Sequence, residues 1–465
     1  MARVLALDVC DSGLLALAEG GFVFGPSPGI AIVEPARVRL GQEALSASRL
    51  QPRQLASDFW ARLDSAPLGP PFPEGLSSAD LVHGHLESVW VRAKPRTAEV
   101  LLAVPGVYDE QQLGLLVGIT QALSMPVVGV VDAAVAAASA GFAGERLLHV
   151  DLGLRRAVVT EIRQGASLVR ERVARIDRWG ADELVDAQMR GAADAFVRQA
   201  RFDPLHDAAT EQALFDRLPG WLAALAGKDS LAVALPAAGR EVETELTRAQ
   251  AEAWTARFAE ELQQQVSVLK HAGEPTSVLV SAHAARLPGL VARLSAVRGV
   301  EVALLPVHAA AAGALRGKDA VRSSPGALRF VTRLPRPEAP ESSIGGAALL
   351  LLPPPKPVPA VPGRRPTHLL LGTVAHAITA EPLVVGTAPP VGARRLPLHG
   401  ETAGVSRAHC RFFESAGEAL VEDLSTWGTF LNGERVPGRA VLSAGDRVRV
   451  GSPGIELVLI AAGEG

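Results

Sequence analysis

Few side chains in this sequence have the spacing that a nucleophile or a bound metal requires. Cys10 and Cys410 lie far apart and match neither a disulfide framework nor a CxxC metal or redox spacing. His83 and His85 flank a glycine without a third ligand nearby in sequence, so we interpret them as a surface pair in a loop. The histidines and serines form no GxSxG nucleophile pattern.

Two aspartates end matching apolar runs and are the clearest residues for binding a cation. Asp8 ends the run VLALD and Asp151 ends LLHVD, and each is followed by a turn and another apolar run. Carboxylate oxygens are good ligands for hard cations. The repeated pattern also predicts two related lobes.

Length and charge limit the class of protein. A chain of 465 residues usually forms two or more domains. The net charge of −3, with acids and bases interspersed, argues against nucleic acid or an anionic membrane as the main partner. The N-terminus lacks the apolar region of a secretory signal, and the apolar run at 347–352 is too short to cross a bilayer. We therefore predict a cytoplasmic protein.

Residues 1–320 alternate strand-like runs with Ala-rich helical stretches, which predicts an α/β domain. Predicted strands are 4–7, 100–104, 127–131, 147–151, 157–162, 277–280 and 302–305, and predicted helices are 181–199, 208–224 and 248–271. Asp207 is predicted to cap the second of these helices.

Composition changes after this domain. Residues 321–366 are predicted as a linker, because clustered prolines from Pro335 onward favour extended conformations. Residues 367–465 contain short β-like runs separated by turns, which predicts an all-β sandwich. The pair Asn432-Gly433 predicts a hairpin turn, since both residues tolerate positive φ.

Five segments of residues 1–320 form an ordered set of motifs, which are VLALDVCDSG, the stretch from LLAVPG to VVDAAVAAASAG, LLHVDLGLRRAVVTEI, VLVSAHAARLPGLVARL and AAAAGAL. In this order they resemble the nucleotide-binding domain of the seventy-kilodalton heat-shock chaperone family. The resemblance implies an actin-like ATPase fold with two lobes for residues 1–320. It also implies a nucleotide site at Asp8, Ser12, Asp151, Gly153, Ser281 and Arg286, with ATP and Mg²⁺ as cofactors.

The phosphate loops depart from the family pattern. Phosphate cradles need glycine, because only a residue without Cβ lets backbone N–H groups approach closely. Cys10 replaces the first-loop glycine, Asp11 stands where a phosphate would lie, and Leu154 and Arg155 fill the second loop. The family's catalytic lysine falls at Trp60 or Ala61, neither of which can stabilise a transferred phosphoryl group.

Two interpretations of the remaining acids stay open. In the first, Asp8, Asp132 and Asp151 hold hydrated Mg²⁺ and act in catalysis, with two arginines replacing the lost phosphate contacts. In the second, the acids are frame residues of the fold, and Arg155 and Arg156 form a solvated hairpin tip. The sequence favours the second and disfavours hydrolysis.

The C-terminal hundred residues contain four motif segments, which are LVVGT at 383–387, VSRAHCRF at 405–412, VEDLSTWGTFLNGERV at 421–436 and LSAGDRVRVG at 442–451. Together they resemble the forkhead-associated domain, a sandwich whose loops bind phosphothreonine peptides. We expect Asp423 and His409 to hydrogen-bond loop backbone rather than ligand.

The resemblance implies a phosphopeptide site at Thr387, Ser406, Arg407, Thr426 and Trp427. Phosphate recognition needs an arginine and neighbouring donors on one anion. The family's arginine is Thr387 here, so that contact is lost unless Arg394, Arg395 or Arg407 replaces it. Binding of phosphothreonine and a phosphate-independent protein contact centred on Trp427 both stay open.

These features favour a non-catalytic adaptor or signalling protein, in which a degenerate ATPase platform carries a domain that binds a protein partner. One alternative is an ATP-binding, chaperone-like protein with residual Mg²⁺-dependent ATPase activity. The other is a passive structural scaffold component.

Overall fold

The computed structural model describes residues 4–336 and 365–461, apart from 20, 36, 94–96, 178, 238, 272, 325–327, 372–373, 391–393, 399–404, 416, 426–427, 433, 437 and 452–454. The chain divides into two compact units, Met1–Leu349 (the large unit) and Leu350–Gly465 (the small unit). No helix among the described residues is long and apolar enough to span a membrane.

The large unit alternates strands and helices, as its sequence predicts. Its strands are β1 (Val4–Asp8), β2 (Leu14–Ala18), β3 (Gly21–Ser27), β4 (Ala31–Glu34), β5 (Arg37–Leu40), β6 (Leu55–Ala56), β7 (Glu99–Val104), β8 (Val127–Asp132), β9 (Arg146–Leu152), β10 (Ala157–Gln164), β11 (Ser167–Ile176), β12 (Ser230–Ala237), β13 (Arg240–Thr247), β14 (Thr276–Val280), β15 (Val300–Leu304), β16 (Phe330–Val331) and β17 (Arg333–Pro335). Its helices are α1 (Gln42–Leu45), α2 (Phe59–Arg62), α3 (Ser78–Ala93), α4 (Glu110–Ala122), α5 (Ala133–Ala138), α6 (Ala181–Ala200), α7 (Ala208–Leu225), α8 (Arg248–Trp254), α9 (Ala256–Leu269), α10 (Leu290–Ser295), α11 (Ala309–Arg316) and α12 (Lys318–Val321).

Two six-stranded sheets share one topology in five of their six strands. Their strand orders are β16-β8-β7-β1-β2-β3 and β15-β14-β9-β10-β11-β17. In each sheet an antiparallel run of three strands is extended by two parallel strands on the side of its first member. The sixth strands differ, because β16 pairs parallel with β8 and β17 pairs antiparallel with β11. The echoed segments VLALD and LLHVD lie in β1 and β9, which occupy equivalent places in the two sheets. The assignment of this unit to the actin-like fold stays a prediction.

Small residues allow two helices to pack closely in the core. Helix α5 is almost entirely alanine and α11 contains AAAAGA, and both belong to one buried apolar cluster with strands of both sheets. A Cβ on Gly313 of α11 would lie 1.8 Å from the carbonyl oxygen of Ala136 in α5, so only glycine permits this approach.

The structure differs from the sequence-based boundaries in three places. Strands β16 and β17 lie inside the predicted linker. β16 pairs with β8 in the first sheet and β17 pairs with β11 in the second, so the large unit extends beyond residue 320. The predicted helix at 248–271 is broken at Thr255 into α8 and α9. The helix-rich middle also contains the hairpin β12–β13, whose apolar face packs on α6 and α7.

The histidine pair was wrongly placed in a loop. His83 and His85 lie in α3, where His85 is fully buried. Trp60 Nε1 donates a hydrogen bond to His85 Nδ1 at 3.1 Å, so the ring proton is on Nε2, which lies 2.9 Å from Ser27 Oγ. His85 is a satisfied core residue.

The small unit is a β-sandwich. Its strands are β18 (His368–Leu371), β19 (Val374–Ala377), β20 (Leu383–Gly386), β21 (Arg394–Pro397), β22 (Cys410–Ser415), β23 (Glu418–Asp423), β24 (Thr429–Leu431), β25 (Glu434–Arg435), β26 (Arg439–Leu442), β27 (Arg447–Val450) and β28 (Ile455–Ile460). They form the sheets β19-β18-β28-β27-β24-β25 and β21-β20-β22-β23-β26. Alternating apolar residues from both sheets, including Val385, Phe412 and Val448, make one buried core.

Candidate functional site

Three loops meet at one end of the small unit: those after β20, before β22 and after β23. The amide of Thr387 donates to Ser406 O at 3.1 Å, and the amide of Ala388 donates to Arg407 O at 3.0 Å. A Cβ on Gly386 would lie 2.2 Å from Arg407 O. Glycine at 386 therefore lets the first two loops approach to hydrogen-bonding distance.

His409 joins the second loop to the third. The Ser406 amide donates to His409 Nδ1 at 3.0 Å, which leaves the ring proton on Nε2 to reach the Gly428 carbonyl at 3.1 Å. Burial holds the pKa of His409 below its ordinary value, so the ring is neutral at pH 7. The imidazole therefore links the backbone of the second loop to the backbone of the third loop through two hydrogen bonds.

Asp423 organises the third loop from within. Its Oδ1 accepts from the Ser425 amide at 3.0 Å, the Ser425 hydroxyl at 2.7 Å and the Thr429 hydroxyl at 2.8 Å. Burial raises the pKa of Asp423, but these donors outweigh it and hold the pKa below the ordinary carboxyl value. The prediction that His409 and Asp423 bond to loop groups is confirmed.

The side chains of these loops differ in exposure. Arg407 is exposed, whereas Thr387 and Ser406 are half-buried. Thr426 and Trp427, which were also predicted to contact the peptide, lie outside the described residues.

The two other arginines considered as replacements lie away from these loops. Arg394 is in register with Leu383, which is three residues, or about 10 Å, along β20 from Gly386. Its guanidinium donates to Thr379 Oγ1 at 2.6 Å and to Ala377 O at 2.8 Å. Arg395 is in register with Val384, two residues along β20 from Gly386, and is exposed. Of the three arginines, Arg407 is therefore the one whose backbone lies beside the loop at Thr387.

In the large unit, Asp8 and Asp151 line one small cavity together with Cys10, His149, Ser281 and His283. Its volume is about 30 Å³, which is room for an ion or one or two waters. Cys10 Sγ lies 3.7 Å from His283 Nδ1 and 3.9 Å from Asp151 Oδ2. The two acids that were predicted to hold Mg²⁺ therefore do converge, on a cavity that also contains a thiol and imidazoles.

Burial dominates the electrostatics of this cavity. Burial and the nearby charge of Asp151 raise the pKa of Asp8 to about 8, so that carboxyl is largely protonated at neutral pH. Burial lowers the pKa of His283. Burial also acts to raise the pKa of Asp151, but His149, His283 and Ser281 outweigh it and hold the pKa below its ordinary value.

Asp132 does not join the other two acids. It is fully buried, and its Oδ1 caps α5 by accepting from the amides of Ala134 and Val135 at 3.0 Å. Its Oδ2 accepts from Arg170 at 2.8 Å. Both oxygens have protein partners, so this acid is a frame residue, as the second interpretation expected.

The predicted phosphate loops are bonded to each other. Asp11 Oδ1 accepts from the Leu154 amide at 2.9 Å, and a Cβ on Gly153 would lie 2.7 Å from that oxygen. The Ser12 hydroxyl donates to Leu152 O at 2.7 Å. The Asp11 carboxylate therefore uses a backbone donor of the predicted cradle.

The arginines of the second loop are also engaged. Arg156 donates to Ala61 O at 2.8 Å, and Arg155 forms an ion pair with Glu183 at 3.2 Å. Their prediction as a solvated hairpin tip is therefore wrong, because these tertiary partners hold both side chains. Arg286 ends the short turn Ala284–Arg286 and is exposed.

Sequence reasoning missed two residues of the cavity, His149 and His283. His149 precedes Asp151 by two residues in β9, and His283 follows β14. His149 and Asp151 are two positions apart in a strand, which is a local signal that both face the same side, whereas His283 lies in the turn after β14, where no such alternation applies.

The model of the FHA domain family matches residues 385–451, which cover the three loops, the end of β20 and the whole of β22 and β23. This match supports the forkhead-associated assignment of the small unit and with it a protein partner. A search of curated proteins found no match to the chain.

Proposed function

We propose that this chain is a non-catalytic adaptor that binds a threonine-phosphorylated protein through the small unit. The observation that carries the proposal is the exposed Arg407, whose backbone carbonyl is tied to the loop at Thr387. The FHA domain match supports the coarser statement that this unit serves phosphoprotein binding in signalling.

Arg407 replaces the charge that the Gly-Thr pair at 386–387 lacks. A guanidinium forms charge-assisted hydrogen bonds with phosphate that are about twice as strong as neutral ones. Because the backbone on both sides of Arg407 is fixed by Ala388 and His409, a bound phosphate would meet a partly ordered site. Pre-organisation of this kind lowers the entropic cost of binding.

The test compares two exposed arginines in the full-length chain. A degenerate phosphothreonine peptide library is titrated by fluorescence anisotropy, with the dephosphorylated library as the reference. Arg407→Ala should weaken phosphopeptide binding at least about tenfold, the equivalent of 1.4 kcal/mol. Arg395→Ala, on the neighbouring strand β21 opposite Val384, should leave it unchanged. Equal binding of both libraries, or full affinity in Arg407→Ala, would refute the proposal.

We further propose that the large unit is a platform that does not hydrolyse ATP. The engagement of Asp132 with Arg170 and the use of the Leu154 amide by Asp11 support this. The cavity at Asp8 and Asp151 holds far less than the several hundred Å³ of an ordinary ligand pocket. Calorimetric titration of Mg²⁺-ATP into the full chain should give no saturable heat. Mg²⁺-dependent turnover that is lost in Asp151→Asn would instead establish the ATPase alternative.

A further inference from the structure

Three potential metal ligands of different chemistry meet in the cavity of the large unit. Cys10 follows β1, Asp151 lies in β9 and His283 follows β14. One ligand atom from each residue lies within 4.8 Å of the ligand atoms of the other two, and Cys10 Sγ lies near Asp151 Oδ2 and His283 Nδ1. A tetrahedral zinc site with ordinary bond lengths separates its sulfur ligand from oxygen or nitrogen ligands by about 3.5 Å. The distances of 3.7 and 3.9 Å from Cys10 Sγ are within a few tenths of an ångström of that value.

The backbone fixes these ligands before any ion binds. Strands β9 and β14 are parallel neighbours, and the Ser281 amide donates to Val150 O at 2.9 Å, which orders the turn that carries His283. The Gly13 amide donates to Cys10 O at 3.0 Å. A Cβ on Gly13 would lie 3.2 Å from His283 Nε2, so glycine leaves space for the ring.

A separate observation, an unpartnered buried oxygen, supports a cation in this cavity. Asp8 lines it and is only 8% exposed, yet its Oδ1 has no hydrogen-bond partner among the described residues. The described lining contains the carboxyl groups of Asp8 and Asp151 and no lysine or arginine. Buried polar groups are ordinarily hydrogen-bonded, and buried charges are paired or coordinate metals, so a metal ion of charge +2 would be the missing partner of Asp151.

We propose that Cys10, Asp151 and His283 bind one Zn²⁺ ion, with Asp8 beside its fourth coordination position. Thiolate and imidazole select zinc over magnesium, which prefers an all-oxygen shell. Binding converts the Cys10 thiol to a thiolate, and the thiol proton goes to solvent. Because the ligands come from both sheets, the ion cross-links the two halves of the large unit.

The same three side chains also resemble a cysteine nucleophile with its base and orienting acid. That chemistry needs room for a substrate acyl group beside the sulfur. The cavity of about 30 Å³ accommodates an ion with a water, but not such a substrate. The geometry therefore favours a metal centre.

The test uses the full-length chain, stripped with a chelator and titrated with Co²⁺ as a spectroscopic substitute for Zn²⁺. A thiolate-to-cobalt charge-transfer band should rise to one equivalent and disappear when Zn²⁺ is added. Elemental analysis after dialysis against Zn²⁺ with excess Mg²⁺ should give one zinc per chain. A wild-type chain with no such band and no retained zinc would overturn the proposal, whatever the variants do.

Matched variants assign the ligands. Cys10→Ser and His283→Gln should each weaken metal binding at least tenfold and abolish the rise in melting temperature that Zn²⁺ gives the wild type. Cys410→Ser, at a buried cysteine of β22, and His83→Gln, on α3, should bind like the wild type. Folding of each variant is checked by circular dichroism. Loss of the cobalt band in Cys410→Ser, or its retention in folded Cys10→Ser, would refute the assignment.

Discussion

The loops of the small unit and the predicted phosphate loops of the large unit contain the same kind of hydrogen bond, but it links different parts of the chain in the two units. In both, an aspartate accepts a hydrogen bond from a backbone amide, Asp423 from Ser425 and Asp11 from Leu154. Asp423 bonds within its own loop and leaves the surface beside Arg407 exposed. Asp11 reaches across to a second loop and occupies the space next to Gly153. In both arrangements the amide is used internally, but only in the large unit does the carboxylate take a donor from the loop that was predicted to bind phosphate.

The largest effect should come from Gly386→Ala, which tests whether close approach of the loops creates the binding surface. The new Cβ would lie 2.2 Å from Arg407 O. Because that contact is with backbone, we expect the small unit to lose about 3 kcal/mol of stability by overpacking, and phosphopeptide binding should be lost with it. Chemical denaturation and peptide titration measure the two effects. Gly220→Ala in α7 has open space and should be neutral or stabilising.

A smaller effect is expected from Asp423→Ala. Ser425 and Thr429 lose the shared acceptor, and we expect the free energy of unfolding to fall by about 2 kcal/mol. The exposed Glu418→Ala on the same strand should change it by less than about 0.5 kcal/mol. Equal denaturation midpoints for the two variants would show that the loop does not depend on Asp423.

The corresponding change in the large unit is Asp11→Ala. The Leu154 amide loses its partner, so we expect the free energy of unfolding to fall by about 1 to 2 kcal/mol. The same variant tests whether the Asp11 carboxylate is the only group that prevents nucleotide binding at the predicted phosphate loops. Saturable ATP binding in Asp11→Ala but not in the wild type would identify this carboxylate as the block, whereas binding in neither would place the obstacle in Leu154 and the small cavity as well.

The smallest effect is a pH dependence that depends on His85. Burial lowers the pKa of His85 to about 4, against about 6.5 for an unfolded histidine. Between these values the unfolded chain binds the extra proton, so stability falls as the pH falls from 6.5 towards 4, with a loss of about 1 kcal/mol at pH 5.5. Denaturation of the wild type and His85→Gln across this range should show a smaller slope in the variant. Parallel curves would contradict the burial argument.

Local patterns in the sequence predicted much of what the structure contains. Strands β20, β24 and β28 coincide with the β-like runs that the sequence predicts at 383–386, 429–431 and 455–460. Asp207 caps α7 by accepting from the amides of Ala209 and Thr210. Asn432 has φ of 51° in the predicted hairpin turn. Each of these features depends on interactions between residues a few positions apart, so the sequence alone is enough to predict it.

What the sequence by itself determined is therefore the order of elements, the two-part organisation and the FHA-like loops. Only the tertiary structure decided which side chains share a site. In the tertiary structure Cys10 contacts His283, 273 positions away, and Asp132 forms an ion pair with Arg170. The backbone of Arg407, rather than that of Arg394, lies beside the loop at Thr387. The physical reason is that periodicity fixes which face of an element is buried, whereas contacts across sheets depend on strand order and register, which no short segment encodes.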